Sequence, residues 1–157
     1  MRPGLLDEIA AHYRGLLGDR LVGLVLYGSY ARGTARPESD LDLFLLAEGL
    51  PEDPFERLAA LPKPPAEVAN GALRDPPVSV RALTPVEFAR GIASLDLDLA
   101  VDGRILLDRN GYTADRLAVV RRRIEEIGWY RDENLFWQWR TYPSRVDWAL
   151  NWEGVRR

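Results

Sequence analysis

The sequence predicts one α/β or α+β domain. Three observations carry that reading. Apolar runs of strand length recur at 21–27, 41–46 and 78–83. Segments of helical periodicity stand between and beside them. Proline falls at the joints and not within the runs, and glycine marks several of the joints, such as Gly18 and Gly28.

Taken in order, Leu5, Leu6, Ile9, Tyr13, Leu16 and Leu17 repeat at helical spacing, which predicts a helix over about 4–18 ended by Gly18. LVGLVLY at 21–27 suits a buried strand. A short helix follows Gly28 and stops at Gly33, then TARPES is loop. LDLFLL at 41–46 is the next strand, with Leu41, Leu43 and Leu45 toward the core, and PFERLAAL at 54–61 is a helix. KPPAEVANGALRDPP is read as loop with little regular structure. VSVRAL at 78–83 is a third strand, followed by a helix that Thr84 caps and Pro85 begins. Residues 95–108 predict a helix end, a turn at Gly103 and a short strand. Ala114 to Ile127 is an amphipathic helix. No linker splits the chain, although its last thirty residues hold all five tryptophans.

Composition narrows the function classes. With 157 residues, a hydrophobic content of 46% and charged residues at 29%, the chain is an ordinary globular one. A net charge of −3 argues against general nucleic-acid affinity, though a local basic patch stays open. The absence of cysteine excludes disulfides and thiolate metal sites. Acids and His12 interrupt the first apolar stretch, so neither a signal peptide nor a membrane span is expected, and a cytoplasmic location is the default expectation. Lys63 is the only lysine.

The chemistry concentrates in GSYARGTARPESDLD, 28–42. A strand entering Gly28-Ser29 and a helix leaving it expose backbone N–H groups that suit phosphate, while a plain helix cap is the simpler use of such a turn. Residues two apart in a strand share a face, so Asp40 and Asp42 project together if the strand begins by Asp40. Two such carboxylates raise each other's pKa unless a cation lies between them, and magnesium is commonly held by one or two carboxylates plus phosphates. Solvated acids at a strand edge are the alternative, with Asp40 and Ser39 closing a turn.

Gly28-Ser29, Arg32-Gly33 and Ser39-Asp40-Leu41-Asp42, preceded by LVGLVLY, resemble the motif of the DNA polymerase beta-like nucleotidyltransferase superfamily, most closely its minimal nucleotidyltransferases. The likeness is strong over 21–46 and weaker through VSVRALTPVEF. It implies an α+β fold, a small mixed sheet with helices packed on it, over residues 1–128. A helical, tryptophan-rich extension over 129–157 is expected to pack on that domain or form an interface. It implies that Gly28, Ser29, Arg32 and Ser39 bind nucleotide phosphates, and that Asp40 and Asp42 are the catalytic, magnesium-binding acids. Arg32 either reaches phosphate or pairs with an acid. The implied reaction is transfer of a nucleoside monophosphate from a triphosphate, ATP by expectation, to a protein or small-molecule hydroxyl. Some family members are antitoxins paired with a HEPN-type ribonuclease toxin, so such a toxin is an expected partner.

The family's third acid sits on a strand just before a Thr-Pro helix start. Here that place falls to Ser79, with Arg81 on the same face, and neither is a base at neutral pH. Asp75, Asp96, Asp98 and Asp102 are the nearest substitutes, although Asp96 and Asp98 read more simply as a solvated helix face or turn. The alternative to an enzyme is therefore a weak or inactive nucleotide-binding protein of antitoxin type. The tail offers three uses. Trp129, Tyr130, Phe136, Trp137, Trp139, Trp148 and Trp152 can pack on the domain, form a dimer or partner surface, or stack single-stranded bases with Arg131, Arg140, the arginines at 121–123 and Arg156-Arg157 supplying charge.

Overall fold

A strand whose residues are buried on both faces has to lie inside a sheet that is covered on both sides. LDLFLLA is such a strand, because Leu41, Leu43 and Leu45 and also Phe44 and Leu46 are fully buried. The computed structural model describes residues 1–64, 68–69, 72–73 and 75–140. In it the chain runs α1 (Leu5–Leu17), β1 (Leu21–Tyr27), α2 (Gly28–Arg32), β2 (Leu41–Ala47), α3 (Pro54–Ala59), β3 (Val68–Ala69) and β4 (Ala72–Leu73). It continues through β5 (Val78–Leu83), α4 (Pro85–Ala89), α5 (Ser94–Asp102), β6 (Arg104–Asp108), α6 (Tyr112–Ile127), β7 (Trp129–Arg131) and β8 (Trp137–Trp139). The main sheet has the order β5-β2-β1-β6. β1 is antiparallel to both β2 and β6, whereas β5 is parallel to β2, so the sheet is mixed.

Each face has its own core. Leu24 and Leu26 of β1 join Leu41, Leu43 and Leu45 against Leu5, Ile9, Tyr13 and Leu17 of α1. Val25, Phe44 and Leu46 turn the other way, onto Phe88, Leu97, Leu99, Leu117 and Val120. β1 and α6 approach so closely at Gly23 that a Cβ there would lie 2.2 Å from Thr113 Oγ1. Within the second core lies Arg116, fully buried. Its guanidinium sits 4.8 Å from the Phe88 ring centroid and donates to the carbonyls of Phe88 (2.9 Å) and Gly91 (2.6 Å). Asp96 lies 3.8 Å away.

The three long strands and the starts of α1 to α4 agree with the sequence reading, while α5 begins afresh at Ser94, where only a helix end was expected. Thr84 caps α4 in a capping box with Glu87, and Pro85 is the first helical residue. Two expectations need correction. Within 63–77, read as loop, Val68 pairs with Leu73 and Ala69 with Ala72 as a small hairpin. The expected helical extension is, over its described part, a β-hairpin in which Trp129 faces Trp139 and Arg131 faces Trp137. Gly128 (φ 75) ends α6, and the side chain of Asp132 accepts from the backbone of Asn134 and Phe136 to make the turn. Period-2 alternation brings Trp137 and Trp139 to one side, where both pack on the second core beside buried Trp129. Trp148, Trp152, Arg156 and Arg157 lie outside the described residues. Among the described residues, no helix is long and apolar enough to cross a membrane.

Candidate functional site

Strand pairing assembles the site. Asp42 stands in the second position of β2, opposite Tyr27 on β1 and opposite Ser79 on β5. The residue after Tyr27 is Gly28, with a left-handed φ of 70. Its bare Cα makes room for the neighbouring acid, since a Cβ would lie 2.2 Å from Asp42 Oδ2. Two demands thus fall on one glycine: the turn out of β1 and the close approach of a carboxylate. Ser29 follows in α2, and its carbonyl accepts from the backbone of Thr34. The Ser39 hydroxyl accepts from the backbone N–H of Arg36 at 2.9 Å, which ties off the loop before Asp40.

Asp40 is exposed and Asp42 half-buried. Burial raises the Asp42 pKa above its ordinary value, the charge of Asp40 raises it further, and Arg32 opposes both. Among the described residues, no hydrogen bond or ion pair engages either carboxylate. Two acids that repel, unpaired, one of them beside a backbone stripped of its Cβ, form a donor set that fits a hard divalent cation. No cluster of three or more metal-ligating side chains occurs among the described residues, so such an ion would rely on these two acids and on oxygens from its ligand. Tyr27 lies in the same field: burial raises its pKa, Asp42 and Asp98 add to the rise, and Arg81 opposes it.

Arg32 points from α2 to Asp102 on α5, at 3.4 Å. Asp102 also pairs with Arg131 at 2.5 Å, and Arg131 reaches Asp98 at 2.7 Å. Trp137 Nε1 donates to the same Asp98 oxygen at 2.8 Å while its ring lies 5.0 Å from the Arg131 guanidinium. The remaining substitute acids are engaged too. Asp75 is buried and accepts from Arg2 Nε at 2.9 Å. Asp96, expected on a solvated face, is instead buried and accepts from the Ala93 N–H at 2.9 Å at the start of α5. The parallel register leaves Ser79, not an acid, directly beside Asp42. Sequence reasoning missed Arg131 and Arg116 as organising residues. The only signal for Arg131 was its place in the alternating WYR that follows Gly128.

The model of the nucleotidyltransferase domain matches residues 13–133. The chain belongs to the nucleotidyltransferase domain family. A curated protein of Methanocaldococcus jannaschii, described as a candidate protein adenylyltransferase, is 42% identical over 57 residues, which are 36% of this chain and 39% of that protein. The chain thus matches well under half of that relative's length. Among solved structures, a chain of a toxin–antitoxin crystal structure with AMP-PNP is 18% identical, with a TM-score of 0.46 over 78% of this chain and 91% of that one. A chain of the complex of tri-AMPylated HEPN toxin with MNT antitoxin from Shewanella oneidensis is 17% identical, with a TM-score of 0.39 over 78% and 92%. In this nucleotidyltransferase domain the motif residues therefore sit at one end of the sheet, where β1 leaves and β2 enters.

Proposed function

We propose that this nucleotidyltransferase domain binds a nucleoside triphosphate with magnesium at Gly28, Ser29, Asp40 and Asp42, and transfers its nucleoside monophosphate to a hydroxyl. One observation carries the reading: the unpaired Asp42 carboxylate lies against the bare Cα of Gly28, at the turn that opens the family motif, in the repelling field of Asp40. The turn and Ser29 hold phosphate oxygens, and Asp40 and Asp42 hold the metal. Bound there, magnesium supplies charge neutralisation and orientation of the triphosphate. The acceptor oxygen forms a bond to the α-phosphorus while the bond to the bridging oxygen breaks, and pyrophosphate leaves with that electron pair. Ser79 cannot take the acceptor's proton, which passes to solvent. Positioned base catalysis contributes roughly 10² to 10⁴-fold, so turnover is expected to be slow by about that factor. A protein hydroxyl is the favoured acceptor, on the likeness to the described protein adenylyltransferase.

The test is incubation with labelled ATP, CTP, GTP and UTP, with and without magnesium. Metal-dependent binding that Asp42→Asn removes supports the site, and metal-independent binding overturns it. Ser79→Asp places a third carboxylate beside Asp42 and is expected to raise turnover more than affinity. Brisk native turnover with no gain from Ser79→Asp would show that another group is the base. A second reading, a nucleotide-binding antitoxin-type partner without turnover, rests on the same serine. It is favoured if binding is metal-dependent and no labelled product forms with or without a HEPN-type toxin.

A further inference from the structure

Asp102 serves two arginines, unequally. Arg131 meets it at 2.5 Å and is nearly buried, with 12% of its side chain exposed. Arg32 meets the same oxygen at 3.4 Å, the outer limit of a hydrogen bond and the only one its side chain makes among the described residues, whereas Arg131 also reaches Asp98; the buried Nε of each arginine has no acceptor there. Asp102 itself is 14% exposed. A carboxylate so placed would be left uncompensated if its only cation departed, and removing one partner of a buried pair is costly. With Arg131 in place that cost does not arise. Arg32 is under-satisfied where it stands, and Asp102 stays paired if Arg32 turns away.

We propose that Arg131 is a positioning residue for the nucleotide site, holding Asp102 so that Arg32 is released to the phosphates of an incoming nucleoside triphosphate. The proposal rests on the nucleotide-binding reading above and adds to it a role for the β7–β8 hairpin. Arg131 also holds Asp98 together with Trp137, so the first strand of the hairpin bridges two acids of α5 one helical turn apart. Without Arg131, Asp102 has Arg32 as its remaining cation and draws it in. A charge-assisted hydrogen bond kept in the free protein and lost on binding weakens affinity by about tenfold or more.

The experiment titrates magnesium ATP into the full chain and a set of variants, with melting curves to verify folding. Arg131→Gln is expected to bind about tenfold more weakly. Adding Asp102→Asn to Arg131→Gln is expected to restore binding, because Arg32 is then freed. Adding Asp98→Asn restores the same net charge without touching Arg32, and is expected not to rescue. Equal rescue by Asp98→Asn would mean that only charge matters and would overturn the proposal. So would native-like binding by Arg131→Gln, or a failure of Asp102→Asn to rescue, as a purely structural hairpin contact predicts. Arg32→Gln separates the two layers. If it binds as the native chain does, Arg32 is not a phosphate ligand and the hand-over falls. If it binds weakly while Arg131→Gln does not, only the hand-over falls. Should Arg131→Gln fail to fold, Arg131→Lys, which gives up the bidentate reach to Asp98 and Asp102, serves in its place.

Discussion

At the scale of single residues, the proposed role of Asp42 in metal binding runs against its cost in stability. Its carboxyl titrates above the ordinary 3.8, chiefly through burial and then through Asp40. The native state therefore binds more protons than the unfolded chain between that value and the raised one, so this group's contribution to stability falls as pH rises through the window. Without metal, Asp42→Asn is expected to melt higher than the native chain at pH 7, an advantage that vanishes below about pH 3.8 where both forms are neutral. Magnesium with ATP should reverse the order at pH 7 by stabilising only the native chain. Melting curves at the two pH values check this, and a lower melting point for Asp42→Asn in metal-free buffer at pH 7 would refute it. Strand periodicity puts Asp40 and Asp42 on one face only if the strand begins by Asp40, whereas β2 begins at Leu41, and what links the two acids is the rise that the Asp40 charge gives to the Asp42 pKa. The demand on Gly28 was legible only as a turn, since its contact with Asp42 comes from two strands lying side by side.

At the scale of elements, the ends of helices carry much of the specification. Glu87 closes the capping box of α4 and forms a two-point pair with Arg57 of α3, at 2.9 and 3.0 Å. Arg57 also donates to the carbonyls of Pro51 and Ala82, which fastens α3 to β5, the outer strand of the main sheet. The pair with Arg57 is the main reason that the Glu87 pKa lies at about 2, below an ordinary 4.5. A depressed carboxyl stabilises above its unfolded value and loses that contribution as pH falls through its folded one. Acid should therefore cost the native chain stability between about pH 4.5 and about 2. Glu87→Gln should be less stable at pH 7 and should lose less over that window. Urea midpoints at pH 7 and pH 3 measure the difference, and parallel curves would rule it out. Thr84-Pro85 announced this helix start in the sequence because caps are local. The hairpins were harder to see. Asn70-Gly71 lies between β3 and β4 and is a strong hairpin signal, but it sits in a stretch rich in proline. β7 and β8 were hidden because aromatic residues serve a packed helix and a packed strand alike.

On the scale of the whole molecule, helices cover both faces of one mixed sheet, and the second core closes around a charge. Arg116 ties α6 to the α4–α5 connection through two carbonyls and Asp96. Arg116→Met keeps much of the volume but leaves those acceptors and Asp96 without it, and should lower stability by about 3–5 kcal/mol. Denaturant titration tests this; a change below about 1 kcal/mol would mean that water or rearrangement replaces the guanidinium. Such a role was not legible, because an arginine in an amphipathic helix reads as surface until its neighbours are known. β2 has a further consequence. It is hydrogen-bonded on both sides and buried on both faces, yet Asp42 lies at its very start. Amides of Leu43 to Leu45 should exchange with deuterium only when the whole domain opens, whereas those of the short turn at 28–34 can exchange through local opening. The site thus joins the slowest-exchanging part of the chain to one of the faster, and a bound nucleotide should register as slowed exchange at the turn with little change in the strand beside it.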